Sequence, residues 1–97
     1  MEIKIQALHF DATEKLNAFI QKKVAKLEKN NENITKVEVT LKVVKPETAM
    51  NKEALIKIMV PQHDDIVASK VADTFEEAVD LCLEAIEKQL EKKKGKK

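Results

Sequence analysis

Arginine, tryptophan and tyrosine are absent from this 97-residue chain, and glycine occurs once, at Gly95. One glycine near the C-terminus leaves no glycine-rich loop to cradle a phosphate. The lone cysteine, Cys82, excludes an internal disulfide and a paired-cysteine metal or redox motif. With Phe10, Phe19 and Phe75 as the aromatic residues, little is available to stack on single-stranded bases. The histidines, His9 and His63, stand in unrelated settings, and the adjacent residues His63, Asp64 and Asp65 are poorly placed to converge on one ion. Ser69 is the single serine and lies mid-strand, so no nucleophile, base and acid arrangement can be assembled. Neither a metal, a cofactor nor an enzyme is expected. No apolar run approaches the ~20 residues that span a membrane. The start Met1-Glu2-Ile3-Lys4 is unlike a secretory signal, so a cytoplasmic protein is expected, in keeping with an unpaired thiol.

What is present is a clear alternation of patterns. Residues 2–8 alternate, with Ile3, Ile5 and Ala7 on one face of a strand. Asp11 then offers a helix cap, with Glu14 three residues on. Leu16, Phe19, Ile20, Val24 and Leu27 follow at helical spacing, ending near residue 30. Residues 35–44 alternate most cleanly, with Val37, Val39, Leu41 and Val43 on one face and Lys36, Glu38, Thr40 and Lys42 on a wet one. Lys45-Pro46-Glu47 breaks that strand. Residues 53–60 form a third strand with Ala54, Ile56, Ile58 and Val60 on one face, and residues 66–72 a weaker fourth. Thr74 and Glu77 frame a second capping box, followed by Phe75, Ala78, Val79, Cys82, Leu83, Ile86 and Leu90 at helical spacing. Cys82 therefore reads as a buried, inert thiol. The pattern predicts an α+β fold of order β-α-β-β-β-α. The later strands should be antiparallel, and two helices should pack side by side on one face of a four-stranded sheet.

The net charge of +1 conceals a segregation. Residues 62–87 carry Asp64, Asp65, Asp73, Glu76, Glu77, Asp80, Glu84 and Glu87 against Lys70 alone, a net of −7. Residues 88–97 carry Lys88, Lys92, Lys93, Lys94, Lys96 and Lys97 against Glu91, a net of +5. The first helix carries Lys15, Lys22, Lys23, Lys26 and Lys29 against Glu14 and Glu28, a net of +3. At about 100° per residue, Lys15, Lys22, Lys26 and Lys29 share a stripe, while Lys23 lies nearer the apolar arc and must snorkel. Taken singly, each lysine is an ordinary solvated residue, and the acid-to-base gradient along the second helix complements its macrodipole. Taken together, the lysines suit phosphate backbones better than base edges.

Two stretches and the element order resemble the bacterial ribosome hibernation-promoting factors, also called ribosome-associated inhibitors or sigma-54 modulation proteins. The first stretch runs from Ala18-Phe19-Ile20 through Lys26-Leu27-Glu28-Lys29. The second runs from Ala68-Ser69-Lys70 through Thr74-Phe75-Glu76-Glu77 to Lys88-Gln89-Leu90-Glu91-Lys92-Lys93-Lys94. Val39 to Lys45 is similar to the family's second strand. The resemblance implies a fold similar to double-stranded-RNA-binding domains with an added first strand. It also implies binding to the small (30S) ribosomal subunit and its 16S rRNA in the mRNA/tRNA channel, with inhibition of translation and promotion of inactive ribosome dimers in starvation. The chain looks like a short form, with residues 1–92 as one ribosome-binding domain and 93–97 as a basic, disordered tail. The family's RNA-contacting positions match Lys23, Lys26 and Lys29 on the first helix and Lys88, Lys92 and Lys94 on the second. Lys22 and Lys93 join them from the charge pattern. Asn17 and Ala85 depart from basic positions, and Glu76 from an aromatic one. No DNA, membrane or obligate oligomeric partner is expected. The alternative function is a protein-interaction module that uses a sheet edge or face.

Overall fold

Each apolar pattern becomes one element in a computed structural model of the chain. The elements are β1 (Glu2–Ala7), α1 (Glu14–Asn30), β2 (Lys36–Val43), β3 (Lys52–Met59), β4 (Ile66–Ala72) and α2 (Phe75–Gly95). The structure describes residues 2–8, 13–30, 34–44, 51–61 and 64–95, with side chains except those of residues 28, 30 and 91–95. The sheet order is β1-β2-β3-β4. β2, β3 and β4 form an antiparallel meander, as the short connections predict. β1 lies parallel to β2, with Ile3 beside Val37 and Ile5 beside Val39. A parallel pair needs a crossover connection, and α1 supplies it.

The fold is α+β, with both helices contributing to one core on one face of the sheet. Leu16, Ile20, Val24 and Leu27 of α1 join Val37, Val39 and Leu41 of β2, Ala54, Ile56 and Ile58 of β3, and Val79, Cys82 and Ile86 of α2. Each large aliphatic side chain so buried contributes about 1.5–3 kcal/mol of transfer free energy. α2 packs across β3 and β4, and α1 lies alongside α2. Ile3 and Ile5 of β1 are only partly buried against this core. The opposite sheet face is wet, as the alternation predicts. It carries ion pairs between Lys36 and Glu38 (3.2 Å) and between the directly opposed Lys42 and Glu53 (3.5 Å).

Some expectations shift. α1 begins at Glu14, and its cap is Thr13, whose Oγ1 accepts the Leu16 N–H at 3.0 Å. Asp11, the cap expected from sequence, lies outside the described residues, as do Lys45-Pro46-Glu47, His9 and His63. The second cap is as predicted: Thr74 Oγ1 accepts the Glu77 N–H at 3.1 Å. Val43 shares the inward parity of β2 yet is 38% exposed, because its neighbour across the ladder is Lys52 rather than an apolar residue. α2 runs to Gly95, so the backbone of the basic C-terminal segment is helical that far.

Candidate nucleic-acid interface

The direction of the helices decides where the lysines meet. β1, β2 and β4 run one way and β3 the other. α1 must return along β1 to reach the parallel strand β2, and α2 returns from the end of β4 across β4 and β3. The two helices therefore run in the same direction. Their tie is an ion pair, Lys23 Nζ to Asp80 Oδ1, at 3.3 Å. Counting on from that tie at 1.5 Å per residue, the end of α1 at Asn30 stands about level with Glu87. Lys88 to Gly95 therefore projects about 12 Å beyond α1.

On α1, Lys22, Lys26 and Lys29 are exposed at the spacing that stacks residues on one helix face, with Lys15 a further two turns back. Leu16, Ile20, Val24 and Leu27 occupy the opposite arc and hold that face outward. Among the described residues, Lys15, Lys22, Lys26 and Lys29 enter no ion pair. Lys88 of α2 is exposed too, at the level where α1 ends. Lys92, Lys93 and Lys94 follow on the projecting part of α2, and their backbone is helical. The stripe on α1 and the lysine-rich end of α2 thus lie toward the same end of the two-helix layer. The exposed ammonium groups of Lys22, Lys26, Lys29 and Lys88 form a run of point charges that a phosphate backbone can follow.

Lys23 is placed differently from its neighbours. It lies between the helices, its Nζ is 5.4 Å from the centroid of the Phe19 ring, and Asp80 faces it from α2. The sequence placed this side chain near the apolar arc, and its snorkelling is what the structure shows. Asp80 was missed as its partner. What the sequence offers is the i, i+4 pair of Phe19 and Lys23; that Asp80 comes to face it is set by the packing of α2 beside α1. Exposed Glu77, Glu84 and Glu87 continue an acidic stripe along α2 on either side of Asp80.

Among the described residues no three metal-ligating side chains cluster, and no helix is long and apolar enough to cross a membrane. Cys82 is buried, and its thiol donates to the Ala54 carbonyl of β3 at 3.0 Å and more weakly to the Ala68 carbonyl of β4 at 3.6 Å. Burial pushes the thiol up from its ordinary 9.0 to about 11; the hydrogen bond at the Lys70 backbone and the Lys70 ammonium oppose this, and Glu53 adds to it. The folded thiol thus holds its proton where an unfolded one loses it. Its contribution to stability is full below about pH 9 and is lost as pH rises through about 11. At pH 8 the native protein should resist a thiol-labelling reagent, with modification tracking unfolding as denaturant is added. Rapid labelling of the folded protein would contradict the burial.

The fold is that of two solved structures. A ribosomal subunit interface protein from Coxiella burnetii superposes with a TM-score of 0.87 at 23% identity, covering 99% of this chain and 100% of that one. The N-terminal domain of Protein Y from Thermus thermophilus superposes with a TM-score of 0.78 at 18% identity, covering 95% of this chain and 98% of the other. The family model for sigma 54 modulation protein / S30EA ribosomal protein matches residues 3–97, and the chain belongs to that family. A ribosome hibernation promoting factor from Pseudomonas putida is 28% identical over 96 residues, which is 99% of this chain and 89% of that relative.

Proposed function

We propose that the protein is a non-enzymatic ribosome hibernation factor. In this reading it binds the small ribosomal subunit in the mRNA/tRNA channel and blocks translation in the cytoplasm during starvation, favouring inactive ribosome dimers. The observation that carries the reading is the set of exposed lysines, Lys22, Lys26, Lys29 and Lys88, collected toward one end of the helix layer of a family fold. The relative in Pseudomonas putida supports the hibernation role. Lys23, Lys92, Lys93 and Lys94 complete the proposed contact surface on 16S rRNA. The acidic stripe of α2 bears on orientation, since phosphate is repelled from Glu77 and Glu84 and drawn toward the lysine-rich end. Contacts of this kind follow backbone shape, and they weaken steeply with salt.

Sedimentation with purified 30S subunits tests the reading. Co-sedimentation at low salt that is lost at high salt is the expected result, and no association at low salt overturns it. One observation favours a second reading. Leu55 and Val67 are 39% and 48% exposed on the open face of the sheet, which suits a protein partner. Association that scarcely responds to salt would point there instead.

A further inference from the structure

Lys23 is singled out among the lysines of α1 by having an acid of its own. Lys22, Lys26 and Lys29 stand in solvent with no ion pair among the described residues. The Lys23 ammonium has the Asp80 carboxylate at 3.3 Å and the face of Phe19 at 5.4 Å. The pair joins the two helices that carry the proposed RNA surface, and its side chains are 34% and 51% exposed, so a ligand can reach both. A cation at that depth is weakly bound to its carboxylate, because water screens the attraction. It is nevertheless neutralised in place.

We propose that Asp80 is a built-in competitor for phosphate at Lys23, and that it sets how tightly the factor holds ribosomal RNA. The inference rests on the reading of the lysines as phosphate contacts and adds a residue of opposite sign to it. On binding, the Lys23 ammonium exchanges one anion for another: the Asp80 carboxylate is released to water and a backbone phosphate takes its place. Phe19 is a partner that the exchange does not remove, since a ring face attracts the cation whichever anion sits above it. The freed carboxylate then stays close to the bound phosphate and repels it. Both the exchange and the repulsion lower the yield of this one contact. The complex is thereby easier to dissolve when translation resumes than five free lysines on α1 would make it.

The test is a comparison of 30S binding by Asp80→Asn, Lys23→Met and the double variant, with Glu84→Gln as a control that removes a nearby charge without touching Lys23. Asp80→Asn should tighten binding about two- to fivefold, the size of an exposed ion pair. The dependence of log affinity on log salt should steepen by up to about 0.7–0.9, one phosphate contact. The gain should vanish in the Lys23→Met background and exceed that of Glu84→Gln. Asp80→Ser serves as a second variant, and an unchanged thermal midpoint shows that the helix pair is intact in each. An equal gain with and without Lys23, or one matched by Glu84→Gln, overturns the proposal, because the effect is then only of net charge. Weaker binding by Asp80→Asn also overturns it, since Asp80 would then position Lys23 rather than compete for it. Reversal of Lys26 and Lys88 separates the two levels. If that reversal weakens binding while Asp80→Asn is silent, only the competitor role fails. If that reversal is silent as well, the phosphate reading itself fails.

Discussion

Charge reversal at Lys26 and Lys88 together should weaken binding to the 30S subunit by about two orders of magnitude while leaving the fold unchanged. Both side chains are exposed, and Lys26 enters no ion pair among the described residues. Glutamate has a helix propensity close to that of lysine, so neither helix loses its reason to form. Each substitution removes one phosphate contact and puts a negative charge where RNA approaches. The two together should lower the slope of log affinity against log salt by about two contacts. The measurement is a salt series of 30S binding beside a thermal melt. A lowered midpoint with the same loss of binding would trace the effect to damaged packing. Unchanged binding would move the interface away from this end of the helix layer.

Ile56→Ala should cost about 2–5 kcal/mol of stability, the largest effect expected of a single substitution in the core. Ile56 is fully buried on β3, flanked across the ladder by Val39 of β2 and Ala68 of β4. α2 lies over β3, so the cavity would open at the junction of sheet and helix. Three backbone strands and a helix bound that space, and none can collapse into it without disturbing the others. A domain of this size has only about 5–15 kcal/mol in total. Each lost kcal/mol lowers the midpoint by about 4–8 °C. Chemical denaturation of both proteins measures the difference, with the same dependence on denaturant expected for each. A loss below about 1 kcal/mol would mean that Ile56 is not at the centre of the core.

The element order, the antiparallel meander and the side of the sheet that faces the core were all legible in the alternation of residues 35–44 and 53–60 and in the helical spacing after Glu14 and Phe75. Periodicity reports burial, and burial is what the core enforces. The start of α1 was legible to within a few residues, and the hydroxyl of Thr13, which accepts the Leu16 N–H, is the cap among the described residues. Val43 keeps the expected face yet is exposed, because parity gives a side chain's face but not what stands across the ladder to cover it. The exposed lysine stripe could be drawn on a helical wheel. The Lys23–Asp80 pair could not, since it depends on how two helices distant in sequence are phased against each other.

β1 has a consequence for how the molecule opens. It is an edge strand held by one neighbour, with Ile3 and Ile5 only half-buried, whereas Val37, Val39 and Leu41 beside it on β2 are buried. The free energy to detach β1 is therefore smaller than that of global unfolding, and its amides should exchange with solvent ahead of those of β2 and β3. Detachment bares the edge of β2, a strand rich in β-branched residues over Val37 to Val43. Such an edge is a template for another chain. β1, with Glu2 and Lys4 outward, is then a guard over that edge, and its hold on β2 sets how often the edge is shown.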